Sequence, residues 1–140
     1  MLEATESDNG LRVILIDTRP ERRELVRHLV ASTGLAAAQI AESANVAEAI
    51  GLLDGGERDV VIMEIQMPVS QGLETIAALR SRSSRLRIVV CSFHRDPATR
   101  ALALAQGADV YLDKPVSSVT LKALLLGYVA AASSDTVAAG

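Results

Sequence analysis

Short runs of buried-type residues alternate with stretches whose apolar positions repeat at helical spacing. "VILI" at 13–16 is brief, β-branched and followed by Asp17, which reads as a strand buried on both faces. "TRPE" then opens a helix: Thr18 and Glu21 have capping-box spacing, and Pro20 suits the first turn. Leu25, Leu29 and Val30 are its expected apolar stripe, with Gly34 as its stop. A second strand is expected near 39–42. Asn45 and Glu48 repeat the capping box, Ala49, Ile50 and Leu53 form the next stripe, and "DGG" at 54–56 ends it. "DVVIM" at 59–63 is the third strand, and Gly72 to Leu79 a short helix. "LRIVVCS" at 86–92 is the fourth strand, and Asp96 and Pro97 start a helix that runs to Gln106 and stops at Gly107. "DVYL" at 109–112 is the fifth strand, and a last helix is expected over 117–132.

Five strands alternating with five helices predict one α/β domain, a parallel sheet covered on both faces. Its expected bounds are 11–132, between flexible ends at 1–10 and 133–140. The chain of 140 residues suits a single domain, and no apolar run approaches the ~20 residues of a membrane helix. The polar, acidic start lacks the pattern of a secretory signal, so a cytoplasmic location is expected. One cysteine, Cys91, excludes an internal disulfide and a cysteine metal cluster. A net charge of −3 and only three aromatic residues argue against nucleic-acid binding. His28 and His94 are isolated and read as surface residues. Arg80, Arg82, Arg85 and Arg87 read first as a solvated loop, with an acidic partner or lipid headgroups as the alternative.

Ligands of open parallel sheets sit at the carboxyl ends of the strands. Asp17, Thr18, Glu64, Ser92, Phe93 and Lys114 fall there. Each alone is a weak signal, because strand-end Asp and Ser often cap the next helix.

Taken together, "VILID" at 13–17, "VVIMEIQMP" at 60–68 followed by Gly72, "VVCS" at 89–92 and "GADVYLDKP" at 107–115 resemble the receiver domain of two-component response regulators. The resemblance covers about residues 11–132. It implies a flavodoxin-like sheet of order 2-1-3-4-5. It also implies an acidic pair that helps hold Mg²⁺, an Asp that accepts a phosphoryl group, and a hydroxyl and a lysine that bind the phosphoryl oxygens. By position, Asp17 matches the first acid, Ser92 the hydroxyl, Lys114 the lysine and Tyr111 the switch aromatic.

Three positions depart from that pattern. Thr18 replaces the second acid, Glu64 replaces the phospho-accepting Asp, and Phe93 covers the site where a small residue is usual. The site charge from Asp17, Glu64 and Lys114 falls to about −1, against about −2 in the usual site, so Mg²⁺, held by Asp17 and Glu64 if by anything, should bind weakly or not at all. Glutamate carries its carboxylate about one methylene further, and in-line transfer tolerates a misplacement of only ~1 Å. The expectation is therefore an atypical receiver without a cofactor or enzymatic activity, docking on a protein partner or its own copy independently of phosphorylation. In the last helix Leu121, Leu125, Tyr128 and Val129 are expected to face the core, leaving Leu124 and Leu126 as contact residues on the face made by the fourth helix, fifth strand and fifth helix. The alternatives are a conventional phosphorylated receiver and a flavin-binding enzyme. The second lacks a glycine-rich phosphate loop in "DTRPERR".

Overall fold

A computed structural model describes residues 11–33, 39–65 and 68–139, with side chains through 131. The strands are β1 (Arg12–Ile16), β2 (Gln39–Ser43), β3 (Val60–Met63), β4 (Arg87–Ser92) and β5 (Val110–Asp113). Between and after them run α1 (Pro20–Ser32), α2 (Val46–Asp54), α3 (Val69–Arg82), α4 (Pro97–Gln106) and α5 (Ser118–Ala139). All strand pairs are parallel and the order is β2-β1-β3-β4-β5, as the resemblance implies.

Strand alternation builds two cores. Ile14, Ile16, Val61, Met63, Ile88 and Val90 face Ala49 of α2, Ile76 and Leu79 of α3 and Ala103 of α4. Val13, Leu15, Val60, Ile62 and Val89 face Val30 of α1 and Leu121 and Leu125 of α5. Because both faces of β1 and β3 are covered, their sequences show apolar runs and no alternation. Each fully buried aliphatic side chain contributes about 1.5–3 kcal/mol.

Several local expectations are corrected. Arg19, rather than Thr18, is the N-cap of α1, and the Arg19 side chain makes no capping hydrogen bond. The cause is Asp17, whose Oδ1 accepts from Arg19 N–H at 3.0 Å and turns the chain one residue later than the capping-box spacing suggested. Leu25 is 69% exposed, and the buried stripe of α1 is Val26, Leu29 and Val30. Gly34 lies outside the described residues. The Asn45–Glu48 box forms: Asn45 Oδ1 accepts from Glu48 N–H at 2.9 Å, and Glu48 reaches back to Ala44 N–H at 3.1 Å. Helix α3 starts earlier and ends later than expected, and α5 runs to Ala139.

Arg80 is no loop residue exposed to solvent. Its guanidinium donates to Gly107 O at 2.8 Å, Leu86 O at 2.6 Å, Ser83 O at 3.0 Å and Asp109 Oδ2 at 2.9 Å. Gly107, at φ 123°, ends α4 against this side chain, and a Cβ there would lie 2.9 Å from Arg80 Cγ. Arg82 pairs with Asp54, and Arg87 stacks 5.3 Å from the Tyr128 ring centroid.

Candidate functional site

The carboxyl ends of β1, β3, β4 and β5 converge, as Asp17, Glu64, Ser92 and Lys114 require. Asp17 N–H donates to Ser43 O at 3.2 Å, which extends the β1–β2 ladder one residue beyond the strand. Its carboxylate is thereby held at the sheet edge and buried. Lys114 N–H donates to Ser92 O at 2.8 Å, so β4 delivers the lysine to the same edge. The Lys114–Pro115 peptide is cis, and Arg95 donates to Lys114 O at 2.9 Å.

Lys114 Nζ stands 3.4 Å from Glu64 Oε1, with Lys114 and Glu64 side chains 13% and 5% exposed. The other carboxylate oxygen, Oε2, folds back on its own chain and accepts from Ile65 N–H at 2.9 Å. Glu64 is thus engaged at both oxygens. This is the approach that the extra methylene predicts. The space beside the pair, bounded by Asp17, Arg23, Cys91 and Lys114, is about 10 Å³. That holds one water at most.

Phe93 is 62% exposed and lies beside the lysine, its ring centroid 5.4 Å from Lys114 Nζ. An ammonium at that separation is attracted by the ring face. Ser92 is fully buried, and its Oγ accepts from His94 N–H at 3.0 Å, which turns the chain into the α4 approach. Tyr111 is buried and donates its hydroxyl to His94 O. Asp96 caps α4 by accepting from Ala98 N–H at 3.2 Å. Cys91 lies beneath the pair, and burial pushes its thiol up to about 12.

Sequence reasoning missed four arginines. Arg22 Nε is 3.5 Å from Asp17 Oδ1. Arg23 donates to Asp17 O at 2.6 Å and to Glu42 Oε1 at 3.0 Å. Arg100 donates to Tyr111 O at 3.0 Å and to Asp113 Oδ1 at 3.0 Å, while Arg95 holds Lys114 O. A signal for Arg22 and Arg23 was present: both sit in the first turns of the helix that follows Asp17, within side-chain reach of its carboxylate. For Arg95 and Arg100 no such local spacing exists.

Of the two expected contact residues, Leu126 is exposed, whereas Leu124 packs against the core formed with α1. The register of α5 is rotated enough to bring Leu124 partly inward beside Leu121 and Leu125. Leu102 of α4 is also exposed. Beside the site a groove of about 450 Å³ runs from Asp17 and Glu64 along Asn45, Gln71 and Thr75. No helix among the described residues is long and apolar enough to cross a membrane.

Comparison with known proteins agrees with the fold. The nitrate/nitrite response regulator protein NarL of Escherichia coli K12 is 34% identical over 102 residues, covering 73% of this chain and 47% of that protein. The transcriptional regulatory protein PrrA of Mycobacterium tuberculosis H37Rv is 30% identical over 135 residues, covering 92% and 57%. The chain therefore spans about half the length of the curated relatives it matches. Among solved structures, the chemotaxis response regulator CheY4 of Vibrio cholerae superposes with a TM-score of 0.71 at 26% identity, over 85% of this chain and 98% of that one. A LuxR-family response regulator from Aurantimonas sp. SI85-9A1 gives 0.75 at 26% identity, over 87% and 86%. The response regulator receiver domain family matches residues 13–126, and with the sheet order and the convergence of Asp17, Glu64, Ser92 and Lys114 this places the chain among the receiver domains of two-component response regulators.

Proposed function

We propose that this receiver domain works by docking on a protein partner without being phosphorylated, Glu64 standing as a fixed setting where an Asp would accept the phosphoryl group. The observation that carries the reading is the Glu64–Lys114 pair at 3.4 Å, with the second carboxylate oxygen bound to Ile65 N–H. A nucleophile must present a free oxygen in line with the incoming phosphorus. Here both oxygens are occupied, the lysine that would bind the phosphoryl oxygens is taken, and Phe93 lies alongside it.

The donor set also disagrees with a hard divalent cation. Mg²⁺ demands near-octahedral oxygen ligands. Asp17 and Glu64 each face a cationic side chain at 3.5 and 3.4 Å, and no group of three His, Cys, Asp or Glu able to hold a metal occurs among the described residues. No step of the proposed function passes through a metal.

The docking surface in this reading is the α4–β5–α5 side, with Phe93, Leu102 and Leu126 as exposed apolar residues. Tyr111, held inward against His94 O, sets the shape of that side. The test is incubation with acetyl phosphate and Mg²⁺ followed by intact-mass measurement. Neither the native protein nor Glu64→Asp alone should gain a labile phosphoryl group. Stoichiometric labelling of the native chain would restore the conventional reading that its relatives suggest.

A further inference from the structure

Arg22 sits in the first turn of α1, on the carboxylate that begins the acidic site of receiver domains. Its Nε is buried and makes no hydrogen bond, and the charge it faces is Asp17 Oδ1 at 3.5 Å. A buried guanidinium nitrogen without an acceptor is costly unless its charge is used. Asp17 is itself buried, so each group is the counter-charge of the other. Arg23 plays no part in this pairing, since its donors go to Asp17 O and Glu42.

The charges of the site then close. Asp17 and Glu64 contribute two negative charges, and Arg22 and Lys114 two positive ones, in two separate pairs. We propose that Arg22 is a built-in substitute for the divalent cation: it neutralises Asp17 permanently and keeps metal ions out. A guanidinium is always charged, is weakly hydrated and is carried on a helix, so it needs no dehydration step to occupy the site. A divalent ion would have to give up water, share its one strong carboxylate with a like charge and find further oxygens. Thr18, where the family carries an acid, brings no negative charge to offset the arginine. Exclusion of the ion rests on the Asp17–Arg22 pair and holds whichever partner the domain meets.

The test uses Mn²⁺ as the probe, with free Mn²⁺ measured by electron paramagnetic resonance, on four proteins: native, Arg22→Gln, Thr18→Asp and the double variant. Thermal melts with and without Mg²⁺ run in parallel, so that a variant that fails to fold is recognised and Arg22→Met takes its place. The native protein and Thr18→Asp should show no saturable binding at millimolar Mn²⁺. The double variant should bind tighter than Thr18→Asp by about tenfold or more, as removal of a neighbouring unit charge requires. Arg22→Gln should melt lower than the native protein, and Mg²⁺ should recover part of the loss. Equal binding by Thr18→Asp and the double variant, binding by the native protein, or no binding by any of the four would each show that Arg22 is not what excludes the ion.

Discussion

The guanidinium of Arg100 lies over the ring of Tyr111, Cζ to centroid 4.9 Å, while its nitrogens hold Tyr111 O and Asp113 Oδ1. One side chain on α4 thus grips both the ring and the backbone of the residue at the switch position. The Tyr111 hydroxyl is meanwhile bound to His94 O. Arg100→Ala should cost about 1 kcal/mol, because Arg100 is partly exposed and the stacking contribution is modest. The sharper consequence is local: Tyr111 should become reactive to tetranitromethane while Tyr128 keeps its native rate. Arg100→Lys should protect only partially, since it loses the fork that reaches two acceptors. Unchanged Tyr111 nitration in Arg100→Ala would show that packing alone holds the ring.

Removing one member of the Glu64–Lys114 pair leaves the other charged in a nearly closed space. Glu64→Gln keeps the shape and an acceptor for Ile65 N–H, so the isolated charge is the main change. The loss should be about 3 kcal/mol by urea denaturation, at the low end for a broken buried pair. A loss indistinguishable from zero would mean that Lys114 swings out to solvent at no cost.

Cys91 should be silent. Burial pushes its thiol up to about 12 from the ordinary 9.0, so the folded protein presents no thiolate at neutral pH. Ellman's reagent should react only at the rate of unfolding. The sign of the linkage follows. The unfolded thiol ionises from about pH 9 upward while the folded thiol keeps its proton, so the unfolded state binds fewer protons there and stability falls as pH rises. Cys91→Ala, compared with the native protein over that range, should lose this contribution to the alkaline slope.

Docking should be separable from folding on α5. Leu126→Glu places a charge at an exposed position and should shift stability by no more than about 0.5 kcal/mol. Leu124→Glu puts a carboxylate against the α1–α5 core and should cost several times that. If the proposed surface is right, Leu126→Glu with Leu102→Glu abolishes association with the partner, read by analytical ultracentrifugation or pull-down, while melting is nearly unchanged. Retained association by that folded variant would move the interface elsewhere.

The parts of this molecule that were legible in sequence are those decided by neighbours along the chain. "VVIM" at 60–63 and "VILI" at 13–16 announce strands buried on both faces, and Asn45 with Glu48 announces a cap. The errors lie where a particular contact, near or far along the chain, overrides the spacing that the sequence shows. Thr18 and Glu21 have the spacing of a capping box, but the Asp17 carboxylate takes Arg19 N–H and shifts the helix start. Leu25 and Val26 are equally apolar, and only the position of the sheet decides that Val26 turns inward. The Glu64–Lys114 meeting followed from strand order, because both residues end strands at the same edge. The arginine on Asp17 had a local signal in its place in the first turn after Asp17, whereas the role of Arg80 needed the fold itself.

Arg80 gathers backbone oxygens from the end of α4, the turn before β4 and the approach to β4 with a single guanidinium. Such a convergence makes Arg80 a shared support at the pole of the sheet away from the site, beside the brackets that Asp59 and Asp109 form there. Lysine, with one small head group, has no geometry that serves these acceptors at once. A change at this position therefore unties three segments together and exposes their amides to hydrogen exchange as one block, while the strand ends that carry Asp17 and Glu64 keep their own local brackets. One side chain far from the candidate site thus joins three segments that the sheet alone does not connect.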